Sequence, residues 1–122
     1  MKTKGELEAE ISQAIIRFKK DYMGRGPLGV RTYLIDDMAL VRLRGVLTPA
    51  EQKLAQVEER SRGRDLIKQM RLELIEHGRP ILEEMLREIL GVGILSLHTD
   101  VSTASGESVI LFTLDARPEF EA

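Results

Sequence analysis

Apolar positions at three- and four-residue spacing open the chain. Leu7, Ile11, Ala14, Ile15, Phe18 and Tyr22 fall on one side of a helix predicted over about residues 6–23. Gly24-Arg25-Gly26-Pro27 ends it, because glycine admits left-handed φ and proline has no amide to continue the ladder. The spacing then drops to two. Residues 30–35 and 38–47 are rich in branched side chains, and Asp36-Asp37 between them fits a two-residue turn. That turn pairs Ile35 with Met38 and sets Arg31 opposite Arg42. One face, with Val30, Thr32, Leu34, Ala39, Val41 and Leu43, is the predicted core side. The other carries Arg31, Tyr33, Ile35, Leu40, Arg42 and Arg44. A loop one residue longer would flip one strand and spoil the match.

Thr48-Pro49-Ala50-Glu51 is a capping box with proline at the first helical position, so a helix starts here and turns Leu54 and Val57 inward. Arg60-Ser61-Arg62-Gly63-Arg64 is expected to be a break or weak joint. A long helix follows over about residues 65–90. Leu66, Met70, Leu74, Ile81, Met85 and Ile89 are taken as much of its apolar stripe, and Gly78 and Pro80 predict a kink. A second hairpin, residues 92–103 and 108–115, closes around Ala104-Ser105-Gly106-Glu107. Its last strand is apolar on both sides, Val109 and Leu111 as well as Ile110, Phe112 and Leu114, which suits a central strand or a covered surface.

The order reads αββ-α(α)-ββ. It predicts an α+β fold of two layers, a four-stranded, mainly antiparallel sheet with helices on one face. The order of the hairpins across the sheet cannot be read. Residues 1–122 make one expected domain, with an ordered core over about 5–115 and a loose tail at 116–122.

Composition narrows the function classes. Lys and Arg number 18 against 20 Asp and Glu, which argues against a dedicated nucleic-acid binder. Aromatic residues are 4% and there is no Trp, a poor basis for a base-stacking platform. With no Cys, there is no disulfide framework, zinc-thiolate site or thiol nucleophile. The start is too polar for a signal peptide, and no apolar run reaches the roughly 20 residues that span a bilayer. The expectation is a cytoplasmic protein.

Reactive side chains concentrate in Ser96-Leu97-His98-Thr99-Asp100-Val101-Ser102-Thr103. As a strand, this run puts Ser96, His98, Asp100 and Ser102 on one face. A nucleophile triad is the sharp reading, with a small hydrolase as the function. Parallel side chains at i and i+2 lie roughly 6.5–7 Å apart, however, and no nucleophile elbow or oxyanion loop accompanies them. A hydrogen-bonded polar strand face is the simpler reading. His98 and Asp100, with Asp36, Asp37 or His77, could ligate a metal, but no ligand spacing supports it. No catalytic, cofactor or metal residue is therefore assigned. Opposed Arg31 and Arg42, with Arg44, need a neutraliser: solvent, Asp100 or Asp37, an anionic ligand, or another subunit. Arg60, Arg62 and Arg64 are flanked by Glu58, Glu59 and Asp65 and read as a charged joint. The candidate ligand or partner surface is Arg31, Tyr33, Arg42, Arg44, His98, Asp100 and Ser102.

Several spaced blocks are familiar together. They are the segment from Ala9 to Phe18, Gly24-Arg25-Gly26-Pro27, Ile35-Asp36-Asp37-Met38, the segment from Val41 to Glu51, the Ser96 run, and Gly106-Glu107 followed by Val109-Ile110-Leu111-Phe112-Thr113-Leu114-Asp115. Over residues 5–115 the chain resembles the MpsC-like family, whose label is that of a component of a sodium-translocating, membrane-potential-generating system. The resemblance implies an accessory role beside membrane proteins that move cations together with bicarbonate. It brings no catalytic residues. The expectation is thus a non-enzymatic accessory or regulatory protein, a homodimer or other homo-oligomer, held at the inner membrane through an integral transport protein. The alternative is an anion- or RNA-binding module that uses the arginine-bearing face.

Overall fold

The computed structural model describes residues 1–56 and 60–122, and the side chains of residues 1–56 and 62–122. Helix α1 spans Lys4–Met23, strands β1 Gly29–Ile35 and β2 Met38–Arg44, helices α2 Pro49–Ala55 and α3 Arg60–Leu90, and strands β3 Ile94–Val101 and β4 Ser108–Leu114. The four strands form one antiparallel sheet in the order β1-β2-β4-β3. The hairpins therefore meet along β2 and β4, and β4, apolar on both sides, is an interior strand.

Local signals set most boundaries. Thr3 Oγ1 accepts from the Glu6 amide and the Glu6 carboxylate accepts from the Thr3 amide, which starts α1 two residues before the predicted helix. Gly24, at φ 78°, ends it in the left-handed region that glycine enters without cost. The Asp36-Asp37 turn gives the expected pairing of Ile35 with Met38 and Arg31 with Arg42. Thr48 and Glu51 form the second capping box, at 3.2 and 2.9 Å.

The core lies between the helices and one sheet face. Leu34, Ala39, Val41, Leu43, Leu97, Ile110, Phe112 and Leu114 supply the sheet side. Leu7, Ile11, Ala14, Ile15 and Phe18 supply the α1 side, as its periodicity requires. Two bonds from α1 reach β1: Glu8 accepts from the Leu34 amide at 2.8 Å, and the Ser12 and Thr32 hydroxyls meet at 2.8 Å. The first of these occupies an outward backbone donor of an edge strand.

Helix α3 departs from expectation in two ways. It begins at Arg60, five residues early, so the break expected over residues 60–64 is its first turn instead, and it continues past Gly78 and Pro80 as one helix, as predicted. Its buried face is Ile67, Ile75, Leu82, Leu86 and Leu90, while Leu66, Met70 and Ile81 are about half exposed. The helix carries two apolar stripes side by side. Of the predicted stripe, Leu74, Met85 and Ile89 are half-buried and Ile89 packs against the core, while the fully buried stripe beside it is interrupted at its centre by Arg71 and Gly78, which hides it from pattern alone. Leu54 packs against the core, and Val57 with its neighbours Glu58 and Glu59 lies outside the described residues.

Arg71 is buried because it has a buried partner. It donates to both Glu51 carboxylate oxygens at 2.7 and 2.8 Å and to the Val46 carbonyl at 2.6 Å. This fork ties α2 and the end of the first hairpin to α3. Burial pushes the Glu51 carboxyl up, but the bonds from Arg71 and from the Thr48 amide outweigh it and leave the group below its ordinary range.

Gly78 faces Phe18 at the α1–α3 contact. A Cβ there would lie 2.5 Å from Phe18 Cε2 and Cζ. Gly78→Ala, which would gain about 0.5–1 kcal/mol in an exposed helix interior, should instead lose about 1–3 kcal/mol by overpacking. Urea unfolding of the two proteins checks the sign. The tail folds back on the N-terminus: Pro118 is buried, Arg117 pairs with Asp36, and the Glu121 amide donates to the Lys2 carbonyl at 2.8 Å.

Candidate functional site

The sheet face away from the helices gathers most of the residues singled out in the sequence. Register aligns them in three rows. Arg31, Arg42, Val109 and Asp100 form the first, Tyr33, Leu40, Leu111 and His98 the second, and Ile35, Met38, Thr113 and Ser96 the third. Alternation puts them here because every second residue of each strand, Thr32, Val41, Ile110 and Thr99 for instance, faces the core. The face has an apolar middle with arginines toward one edge and the His98-Asp100 run along the other.

Two of the three arginines find a charge-stabilising partner within the chain. Arg31 lies over the Tyr33 ring, 5.6 Å from its centroid. Arg42 donates to Glu107 at 2.9 Å. Glu107 sits in the β3–β4 turn, which β4 carries beside β2. It was not among the expected neutralisers because finding it required the strand order. This pair is exposed and adds little stability. Arg44 is paired with Gly29, and its guanidinium lies across the space a Cβ would need there.

The Ser96 run divides into separate local contacts. Ser96 Oγ meets His98 Nε2 at 3.3 Å and also pairs with the Thr113 hydroxyl. Asp100 turns to Lys68 of α3, 3.1 Å away, and to the Val101 amide at 2.8 Å. The Lys68 bond and then the Val101 amide hold the Asp100 carboxyl below its ordinary value. Ser102 lies past the strand end and accepts from the Ser105 amide at 3.3 Å, within the turn. His98 and Asp100 thus share a face but no hydrogen bond. The His77 ring lies tilted against Tyr22 in the helical layer, with centroids 6.2 Å apart, on the opposite side of the sheet from His98. Among the described residues, no group of three or more His, Cys, Asp or Glu could hold a metal ion.

The face combines half-exposed apolar groups with charges, of which Arg42 and Asp100 have ionic partners. That chemistry suits association with another surface. One hydroxyl, that of Ser96, meets an imidazole, His98, and the same hydroxyl is shared with Thr113, while Asp100 turns away to Lys68 rather than orienting the ring.

The family model described as "Na+-translocating membrane potential-generating system (MpsC)" matches residues 3–116. The chain belongs to the MpsC family. Two Bacillus subtilis (strain 168) proteins are similar along nearly their whole length. YbcI is 43% identical over 113 residues, 93% of this chain and 89% of its own. YrhF is 27% identical over 110 residues, 88% and 87%. Both are described as uncharacterized proteins, so the MpsC description is the functional content these comparisons carry. No solved structure matches. Among the described residues of this MpsC family member, no helix is long and apolar enough to cross a membrane.

Proposed function

We propose that this chain is a non-enzymatic accessory or regulatory protein of a membrane potential-generating, sodium-translocating system, and that it works as a dimer closed through its open sheet face. The observation that carries the reading is that face: Tyr33 and Ile35 are 37% and 46% exposed, Leu40, Val109 and Leu111 are half-buried, and the helices all lie on the other side. The membrane association rests on the family description.

A second copy fits the charge layout. The first row ends in Arg31 on β1 and in Asp100 on β3, whose side chain keeps 67% of its exposure. A two-fold axis parallel to the strands, running between β2 and β4, sets each copy's arginine edge over the other's Asp100 edge. Leu40, Val109 and Leu111 then meet in the middle. Four strands about 4.8 Å apart and seven residues at about 3.3 Å give a patch of roughly 400 Å². That is about half a standard interface per partner, so the expected dimer depends on concentration.

The accessory role is tested by fractionating cells that carry a tagged chain. Recovery with membranes together with an integral transport protein is expected, as is a defect in sodium-dependent growth on deletion. A chain recovered free of membranes, with normal growth of the deletion strain, contradicts the role. Directly opposed Arg31 and Arg42 beside Tyr33 favour a second reading, an anion- or RNA-binding module. Salt-sensitive RNA binding that is lost in Arg42→Ala would select it over the dimer.

A further inference from the structure

A different feature lies on the helical side. A cavity of about 240 Å³ opens between α1, α3 and strands β3 and β4. Lys19 of α1 borders it and is only 4% exposed. Among the described residues, the Lys19 ammonium has no hydrogen-bond or ion-pair partner, and every side-chain nitrogen or oxygen fully cut off from solvent does have one. The Lys19 ammonium therefore keeps contact with open space, and the open space beside it is this cavity.

The charges around it do not balance. Arg71 is matched by Glu51, and Lys68 by Asp100. Both Glu51 oxygens are committed to Arg71, and its attraction for Lys19 is weaker than the repulsion from Arg71. The Thr99 and Ser108 hydroxyls donate to the Val109 and Asp100 carbonyls, at 2.8 and 3.0 Å. One uncompensated buried cation remains. Burial and then Arg71 press its pKa down to about 8, which still leaves it mostly charged at neutral pH. The rest of the wall includes Leu72, Ile75 and Val101.

We propose that this cavity binds a small organic monocarboxylate, with its carboxylate against Lys19 and a short alkyl body against Leu72, Ile75 and Val101. A monoanion restores neutrality, whereas a dianion leaves one excess negative charge against an apolar wall. The volume lies below the range of ordinary ligand pockets and so favours a short acid.

The test is an NMR titration of the full chain, with its lysine Cε positions labelled, against sodium butyrate and, separately, inorganic phosphate at constant ionic strength. The expected result is a saturable change at Lys19 with butyrate and an upward move of its titration midpoint by about one to three pH units. Lys19→Met should abolish the saturable response at the remaining lysines. Leu72→Trp, at a partly exposed wall position, should block butyrate while leaving the low Lys19 midpoint in place. No saturation with butyrate, saturation by phosphate alone, or wild-type butyrate affinity in Leu72→Trp would overturn the proposal.

Discussion

Glu51→Ala is expected to cost about 3–5 kcal/mol of folding stability, because it leaves the Arg71 guanidinium buried without its counter-charge. The two side chains are each 9% exposed, so water cannot replace the lost carboxylate. Alanine also removes half of the capping box that starts α2. Glu51→Leu combined with Arg71→Met removes both charges and should recover much of the loss. The ordinary protein should feel the same pair in acid. A native carboxyl held below its unfolded value gives stability that is present above the ordinary range and is lost as pH falls through the native value. Urea unfolding of the three proteins decides the matter. A loss under about 1 kcal/mol in Glu51→Ala would show that the pair is solvated like a surface bridge.

Lys19→Met should change stability in the opposite direction. A folded-state pKa near 8 against an ordinary 10.5 corresponds to about 3 kcal/mol of penalty on the charged form. Below pH 8 both the folded and unfolded chains hold the proton, and the penalty is fully present. Between 8 and 10.5 the unfolded chain keeps the proton and the folded one has lost it, so rising pH favours folding. The variant should therefore exceed the wild type by up to about 3 kcal/mol at neutral pH, with the gap closing toward pH 10.5. The charged groups facing Lys19, namely Arg71, Glu51, Lys68 and Asp100, occur in both proteins, and their own contributions largely cancel in the difference. Denaturation midpoints of both proteins across this range give the answer, and a gap constant with pH would contradict it.

These two charged groups also mark where the sequence stops being legible. The register of the first hairpin could be read, because Asp36-Asp37 keeps Leu34, Ala39, Val41 and Leu43 on a single face, but its second strand stops at Arg44 rather than residue 47, where Gly45 turns to φ 64°. The capping boxes and the α1 stripe are local and follow from spacing. Lys19 lies on that stripe beside Phe18 yet passes for a surface lysine, since nothing local reports the cavity or Arg71. Arg71 likewise looks like a break in an apolar stripe. Its partner Glu51 is twenty residues away and already has a capping role that explains it. The open face was legible as a set of residues, Arg31, Tyr33, Arg42, His98 and Asp100, because alternation fixes sides. Who neutralises Arg42 was not, since the contact with Glu107 depends on β4 lying beside β2. Pairing across a sheet is a long-range choice that periodicity does not encode.

On the reading proposed above, this protein assembles through its open sheet face. Sedimentation equilibrium on wild type and Leu111→Glu tests it most directly, because Leu111 lies at the centre of the face and its side chain makes no polar contact that the change would break. A concentration-dependent dimer for the wild type, and a folded monomer over the same range for the variant, is the predicted result. A wild type that stays monomeric, or a variant that dimerises equally well, would contradict the account.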